Sequence, residues 1–425
     1  MGRKVFLSFL GTGNYKQCTY QSDILGRSKV VDFVQEAICE LACKNFQKDD
    51  CALIFLTRDA ERKHWQSLKS RLEVFNFRIQ PIKNMPEGYS EKEIWDIFNL
   101  VFKEINKGDE VILDITHGFR SLPMLGMVLV NYARSLKEIK ISSIHYGAFE
   151  ALGPAHDIEK KIPNPSERVA PLLDLTAFAA IQAWTFGAES FIRTGRSQIV
   201  TKLSLENITP ILSSSAGSDK TASSIRNLMN ALSRIESAIT TNRGKIINED
   251  NNINTALSEL DTLFQNDENV FTLIKPILHQ IRQKLSNFQT MDHWEASVQW
   301  CIDHGLIQQG ITQLQEGIIS YVCTSNNLNP AVLNDREIVA QALNIFDKDI
   351  TESEWHDPAS NNKEKVNEII RSDFVRKHKS NFSRLSTIRN DINHRGYKKD
   401  ALNDGNKFKG KLDSIFKEFL AIKNK

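Results

Sequence analysis

Cysteine is scarce: six residues in 425, at 18, 39, 43, 51, 301 and 323, with no Cys-x2-Cys pair among them. That spacing excludes a zinc ribbon or dithiol redox centre, and Cys39 and Cys43, one helical turn apart, are expected as reduced packing residues. No run of 18 or more apolar residues occurs, so no membrane-spanning helix is expected. The opening MGRKVFLSFLGTG passes directly into a strand-like pattern with no signal-peptide cleavage site, which predicts a soluble cytoplasmic protein. A third glycine is also missing. The stretch GTGNYK carries Gly11 and Gly13, but Lys16 stands where a dinucleotide fingerprint needs glycine, and the acid expected about twenty residues on has no strand to sit on. A nicotinamide oxidoreductase is thereby excluded. A plain tight turn and a ligand-binding loop both remain compatible with the two glycines.

Charge is nearly balanced at +2 but unevenly spread. From Arg371 to Lys425 there are 15 Lys and Arg against 6 Asp and Glu, so these 55 residues carry +9 and the preceding 370 carry −7. A basic end of this kind suits either a phosphate backbone or a solvated helical surface. Apolar runs at 4–10, 51–56, 110–115 and 139–146, separated by segments of helical spacing such as Val30, Val34, Ala37, Ile38 and Leu41, predict a parallel sheet with helices on both faces. The fold class expected is an α/β Rossmann-like N-terminal domain over 1–155, a linker over 156–171, and an all-α region over 172–425. Four prolines between 153 and 171 mark that linker. Helical patterns recur at 311–322 and 408–420, whereas the polar stretches 197–222 and 324–365 are expected as loops or insertions.

Polar chemistry concentrates in DITHGFRSLP, residues 114–123, directly after the apolar Val111, Ile112 and Leu113. In an open parallel sheet, ligands bind at the carboxyl ends of strands, where helix N-termini present free N–H groups to anions. Ser121 as N-cap and Pro123 in the first turn predict a helix through Leu136, with the N–H groups of Gly118, Phe119 and Arg120 facing a ligand. Each residue also has a purely structural alternative: Asp114 and Thr116 closing the turn, His117 as a satisfied, half-buried histidine.

Asp114, Thr116, His117, Gly118, Phe119 and Arg120, with the early GTGNY and the later HYGAFE at 145–150, resemble the CRISPR-associated DxTHG-motif proteins. In that family a Rossmann-like CARF domain senses cyclic oligoadenylate made by the type III CRISPR effector complex. The resemblance implies a nucleotide pocket lined by Gly11, Thr12, Gly13, Asn14, Tyr15, Thr57, Arg58, Thr116, His117, Gly118, Phe119 and Arg120. It also implies that two copies of the domain share one ring-shaped ligand, cyclic tetra- or hexa-adenylate, across a two-fold axis. No cofactor or metal is implied.

RNDINHRG at 389–396 fits the partner domain of such proteins, the all-helical HEPN ribonuclease, whose signature is matched by Arg389, Asn390 and His394. This is the only Arg-x4-His pair in the chain, against about 0.5 expected by chance from 21 Arg and 10 His. It ends an apparent helix carrying Phe382, Leu385, Ile388 and Ile392, with Gly396 placed as a C-terminal cap. Around that helix Arg389 and His394 lie roughly 140° apart, so a composite site at the two-fold axis of a homodimer, or a higher homo-oligomer, would bring them together. The alternative is local: Arg389 paired with Asp391, and His394 a solvated terminus favoured by the helix dipole. Three functions follow as expectations. One is a metal-independent endoribonuclease for single-stranded RNA, switched on by cyclic oligoadenylate and leaving 2′,3′-cyclic phosphate and 5′-hydroxyl ends. The others are a CARF nucleotide-binding regulator without cleavage, and a ring nuclease that degrades its own cyclic ligand.

Overall fold

The computed structural model of the protein describes residues 2–117, 122–249, 251–265, 269–397, 399 and 401–423. The chain divides into two compact units, 1–181 and 182–425, and the division falls inside the helix Thr176–Thr194.

The first unit is built on an eight-stranded sheet among the described residues: β1 (Lys4–Leu10), β2 (Thr19–Ser22), β3 (Gly26–Arg27), β4 (Cys51–Leu56), β5 (Arg78–Ile82), β6 (Glu110–Asp114), β7 (Lys140–Gly147) and β8 (Val169–Asp174), in the order β3-β2-β8-β7-β6-β1-β4-β5. The five strands β7-β6-β1-β4-β5 are mutually parallel. Their apolar content follows from burial on both faces. Phe6, Leu10, Ala52, Ile54, Leu56 and Ile112 enter one hydrophobic cluster. The residues between them, Val5, Leu7, Phe9, Leu53, Phe55, Val111 and Leu113, enter the other. Alternation of side chains along each strand sorts one apolar run into two cores.

The four strands expected from sequence are all present, and the α/β unit followed by a largely helical region is as expected. Four further strands were not legible. β5 carries Pro81 and lies at the sheet edge, where a missing N–H is tolerated. Part of the proline-rich stretch read as a linker forms β8, antiparallel to β7 and parallel to β2.

Among the described residues the second unit is helical, with two hydrophobic clusters. The stretches 197–222 and 324–365 are mostly helix rather than loop, covering Gln198–Ser214, the start of Lys220–Thr240, Leu333–Lys348 and Lys363–Arg371. Their hydroxyls are absorbed locally: Ser204 Oγ donates to the Val200 carbonyl at 2.5 Å and Thr209 Oγ1 to that of Leu205 at 2.6 Å. Polar composition therefore hid the apolar spacing of Ile338, Val339, Ala342 and Ile345, which are buried. All six cysteines are free and buried. No helix among the described residues is long and apolar enough to cross a membrane.

Gly147 closes β7 where a Cβ would come within 2.5 Å of Val34 Cγ2 and 2.8 Å of Tyr20 Cε1, both buried side chains. Gly147→Ala should destabilise the first unit by about 1–3 kcal/mol through this overpacking, read as a lower urea midpoint; an unchanged midpoint would show that the two side chains yield freely.

Candidate functional site

The strand order reverses between β1 and β6: β4 and β5 extend the sheet on one side of β1, and β6 and β7 on the other. The crevice outside the carboxyl ends of β1 and β6 is the switch point at which such sheets bind ligands. GTGNY follows β1, Thr57 and Arg58 follow β4, and Thr116 and His117 follow β6. The topology thus delivers these three sequence-separated stretches to one end of the sheet. Gly118, Phe119 and Arg120, with the expected N-cap Ser121, lie outside the described residues. The helix after them runs Leu122–Lys137.

Asp114 forms the floor and is fully buried. Its Oδ1 accepts the Thr116 N–H at 2.9 Å and its Oδ2 accepts the Ser8 hydroxyl at 2.7 Å. Ser8 Oγ in turn accepts from Gln35 Nε2 at 3.1 Å, and the same amide donates to the Phe9 carbonyl at 3.1 Å. Thr116 Oγ1 accepts the Gly147 N–H at 2.8 Å, and the Ile115 N–H reaches the His145 carbonyl at 3.0 Å. Asp114 and Thr116 are therefore engaged in closing the turn, the structural alternative foreseen for them, and by doing so they fix where His117 leaves the strand.

Above this floor Tyr15 is a hub. Its hydroxyl oxygen accepts the Gly11 N–H at 2.9 Å and its hydroxyl donates to the Gly11 carbonyl at 3.3 Å, folding GTGNY onto itself. Its ring meets His117 edge-on at 4.9 Å, His64 edge-on at 4.9 Å, and Phe33 at 4.6 Å. Gly11 has little room for a side chain: a Cβ would lie 3.2 Å from the Tyr15 hydroxyl and 3.3 Å from His117 Cβ. At Gly13 a Cβ would meet nothing within 4 Å, so packing does not demand glycine there. Thr12, Gly13 and Asn14 are exposed. Lys16, in the place of the absent third glycine, pairs with Glu159 at 2.7 Å. Thr57 is buried as an N-cap accepting the Ala60 N–H at 3.2 Å, while Arg58 is exposed beside it.

His64 was not anticipated. It lies on a π-helical turn, Glu61–Trp65, between α-helical Arg58–Ala60 and Gln66–Leu72, and its buried Nε2 has no hydrogen-bond partner. Such turns widen the helix by one residue and concentrate at functional sites. ERKHW reads as ordinary charged helix surface, so only the histidine itself could have drawn attention. His117 is held below its usual 6.5, chiefly by burial, with His64 adding to the effect and Asp114 and Glu150 opposing it. The neighbouring Tyr146 hydroxyl donates to the Glu150 carboxylate.

The second candidate site ends the helix Lys379–Asn393. Phe382, Leu385 and Ile388 are buried along one face, and Arg389 and His394 are exposed. Among the described residues Asp391 is not paired with Arg389: its buried carboxylate accepts the Leu402 N–H at 2.8 Å through Oδ2. His394 is the C-cap. The Arg395 N–H bonds the Ile392 carbonyl and the Gly396 N–H that of Asp391, both at 3.1 Å. This is a Schellman motif. The left-handed residue that ends the helix is Arg395, at φ 56°, and Gly396, the expected cap, follows it at φ 74°.

The first unit is thus an α/β domain of Rossmann type with its candidate site at the switch point. Residues 5–150 match the family model described as "CRISPR system endoribonuclease Csx1, CARF domain". Over 314 residues the chain is 26% identical to CRISPR-associated protein MJ1674 of Methanocaldococcus jannaschii, an alignment covering 72% of this chain and 41% of that protein. The chain therefore spans less than half the length of this relative. Residues 5–150 are thus similar to a CARF domain, and the aligned part of the chain is similar to a CRISPR-associated protein.

Because the folded imidazole of His117 is less basic than the unfolded one, it takes up its proton later as pH falls, and its contribution to stability declines below pH 6.5. Asp114→Asn removes the opposite charge that favours the imidazolium, so the His117 titration followed by NMR should move further down. An unmoved titration would show that the two groups are screened from each other.

Proposed function

We propose that the protein is a cyclic oligoadenylate-activated endoribonuclease of type III CRISPR antiviral defence. Residues 1–155 hold the activator, and the helical region 172–425 contains a HEPN-type site at Arg389, Asn390 and His394. The observation that carries this reading is the pairing of a CARF domain with an Arg-x4-His motif whose arginine and histidine are exposed at a rigid helix end.

The activator is a polyanion. The end of the sheet where β1, β4 and β6 finish offers it the exposed Thr12, Gly13 and Asn14 and the Arg58 cation; the proposed part of Gly118, Phe119 and Arg120 lies outside the described residues. RNA supplies its own nucleophile, the 2′-hydroxyl, so cleavage needs proton transfer and stabilisation of charge on the phosphorane. His394 moves the proton, Arg389 holds the phosphate as a permanent cation, and Asn390 orients the pair. The products are a 2′,3′-cyclic phosphate and a 5′-hydroxyl. This chemistry asks for no metal, and added chelator should leave the rate unchanged.

A homodimer completes both sites. Support comes from the helix Leu122–Lys137, whose Met124, Val128, Tyr132 and Leu136 recur every fourth residue and stand 73%, 55%, 47% and 58% exposed. Trp95, also exposed, lies on the neighbouring helix Glu91–Glu104, whose Phe98 and Phe102 pack on Tyr132. A four-residue apolar stripe on one helix can pair with its own copy about a two-fold axis. This helix follows directly on the DITHGFR stretch, so ligand and dimer contacts adjoin in sequence.

A second reading, a ring nuclease, draws on the imidazoles of His64 and His117, each of which meets the Tyr15 ring edge-on at 4.9 Å. Labelled RNA incubated with and without cyclic tetra- and hexa-adenylate separates the possibilities. Ribonuclease, ligand-only regulator and ring nuclease give, respectively, cut RNA, no cut species, and cut activator.

His394→Ala should abolish RNA cleavage while leaving activator affinity by calorimetry unchanged; cleavage at the wild-type rate would refute the assignment. When His394→Ala and wild-type subunits are mixed equally, random pairing leaves about a quarter of dimers fully wild type, and activity should fall toward that fraction rather than to half. Val128→Asp should convert the dimer to monomer in light scattering and remove activation, since a surface charge there leaves the fold intact; a dimer that persists would move the interface elsewhere.

A further inference from the structure

We propose that Tyr397 is a positioning residue for the RNA substrate, stacking on the base next to the bond that His394 and Arg389 cut. The inference rests on the ribonuclease reading above and deepens it by naming how a single strand is held.

Tyr397 is 87% exposed, its side chain meets no partner among the described residues, and it belongs to no hydrophobic cluster. An aromatic ring left wholly in water gives the fold nothing, and here the backbone that bears it is held in place. Its backbone N–H donates to the His394 carbonyl at 3.1 Å. The two residues between, Arg395 and Gly396, are locked in left-handed conformation by the Schellman bonds to Ile392 and Asp391. Asp391, itself buried, also holds the Leu402 N–H, so the loop is tied at both ends to the same turn of helix. The backbone that carries the ring is thereby held three residues beyond the candidate proton-transfer group, with the exposed Arg395 two residues before it.

An aromatic ring next to cations is how sequence-tolerant proteins grip single-stranded nucleic acid, because every base offers a π face. Tethering one base also restricts the sugar and phosphate that follow it. In-line attack by a 2′-hydroxyl needs a particular backbone geometry, and proximity and orientation of this kind lower the barrier without any group on the reacting atoms. Tyrosine suits the role because its ring has few rotamers to lose. The hydroxyl is not required, so phenylalanine should serve as well.

The test pairs protein and substrate changes, using the full chain with cyclic tetra- or hexa-adenylate. Tyr397→Ala should lower kcat/KM for RNA by about tenfold or more, through a higher KM from lost base–aromatic stacking and a lower kcat from lost orientation. Tyr397→Phe should stay within about twofold of wild type, and both variants should melt as wild type does. An RNA with one abasic nucleotide beside the cut should lose about tenfold with wild-type protein and nothing further with Tyr397→Ala. If the abasic loss is the same in both proteins, or if Tyr397→Ala cleaves normally, the stacking role is overturned. If wild-type protein cuts no RNA, the ribonuclease reading falls separately. The contact is then decided by affinity for a non-cleavable 2′-O-methyl oligonucleotide, which Tyr397→Ala must weaken about tenfold for the proposal to stand.

Discussion

The carboxylate of Asp114 organises the N-terminal site. A charge with no solvent exposure is costly unless each oxygen is bonded, and here one oxygen takes the Thr116 N–H and the other the Ser8 hydroxyl. The first bond closes the turn after β6, and the second joins the end of β6 to β1 across the switch point. Gln35 extends the chain of donors to the helix Val34–Ala42. The same network holds Thr116 where its hydroxyl oxygen can receive the Gly147 N–H, so β7 is registered to the loop as well as to the sheet. The position of His117, and through it of Tyr15 and the GTGNY loop, follows from a residue that itself need touch no ligand.

The two candidate sites are constructed on opposite principles. At the N-terminal one, stretches far apart in sequence are gathered at the strand ends, and an aromatic hub, Tyr15, locks three of them together. At the C-terminal one, Arg389, Asn390, His394 and Tyr397 all fall within nine consecutive residues, and the backbone bonds of a single helix ending set their spacing. Gathering gives a pocket, which suits a ligand to be enclosed. A helix end gives a projection, which suits a groove made by two copies.

Much of this was legible in advance. The buried parallel strands announced themselves as unbroken apolar runs, and the polar burst at 114–120 marked a strand end because acid, threonine and histidine together have no place in a core. What stayed hidden did so for physical reasons. β5 and β8 contain Pro81 and Pro171 and lie outside the central apolar runs, so their pairing depends on neighbours rather than on their own composition. The helix Gln198–Ser214 neutralises hydroxyls of Ser204 and Thr209 against carbonyls four residues back. His64 reaches Tyr15 only through a π turn, a change of helical phase that hydrophobic periodicity does not report. Likewise the left-handed Arg395 breaks the rule that glycine takes that place, because the Schellman bonds over-determine the turn.

The strand order also governs when the pocket comes into existence. β1 is made first, yet it lies between β4 and β6, and the latter ends at residue 114. Every neighbour of β1 in the sheet is parallel to it and so requires a crossover, which closes a long loop before any reward from packing. A nascent chain that has not yet delivered β6 has GTGNY exposed and no floor beneath it. The candidate site thus cannot assemble until six of the eight described strands have been synthesised, so it is absent from every shorter nascent chain.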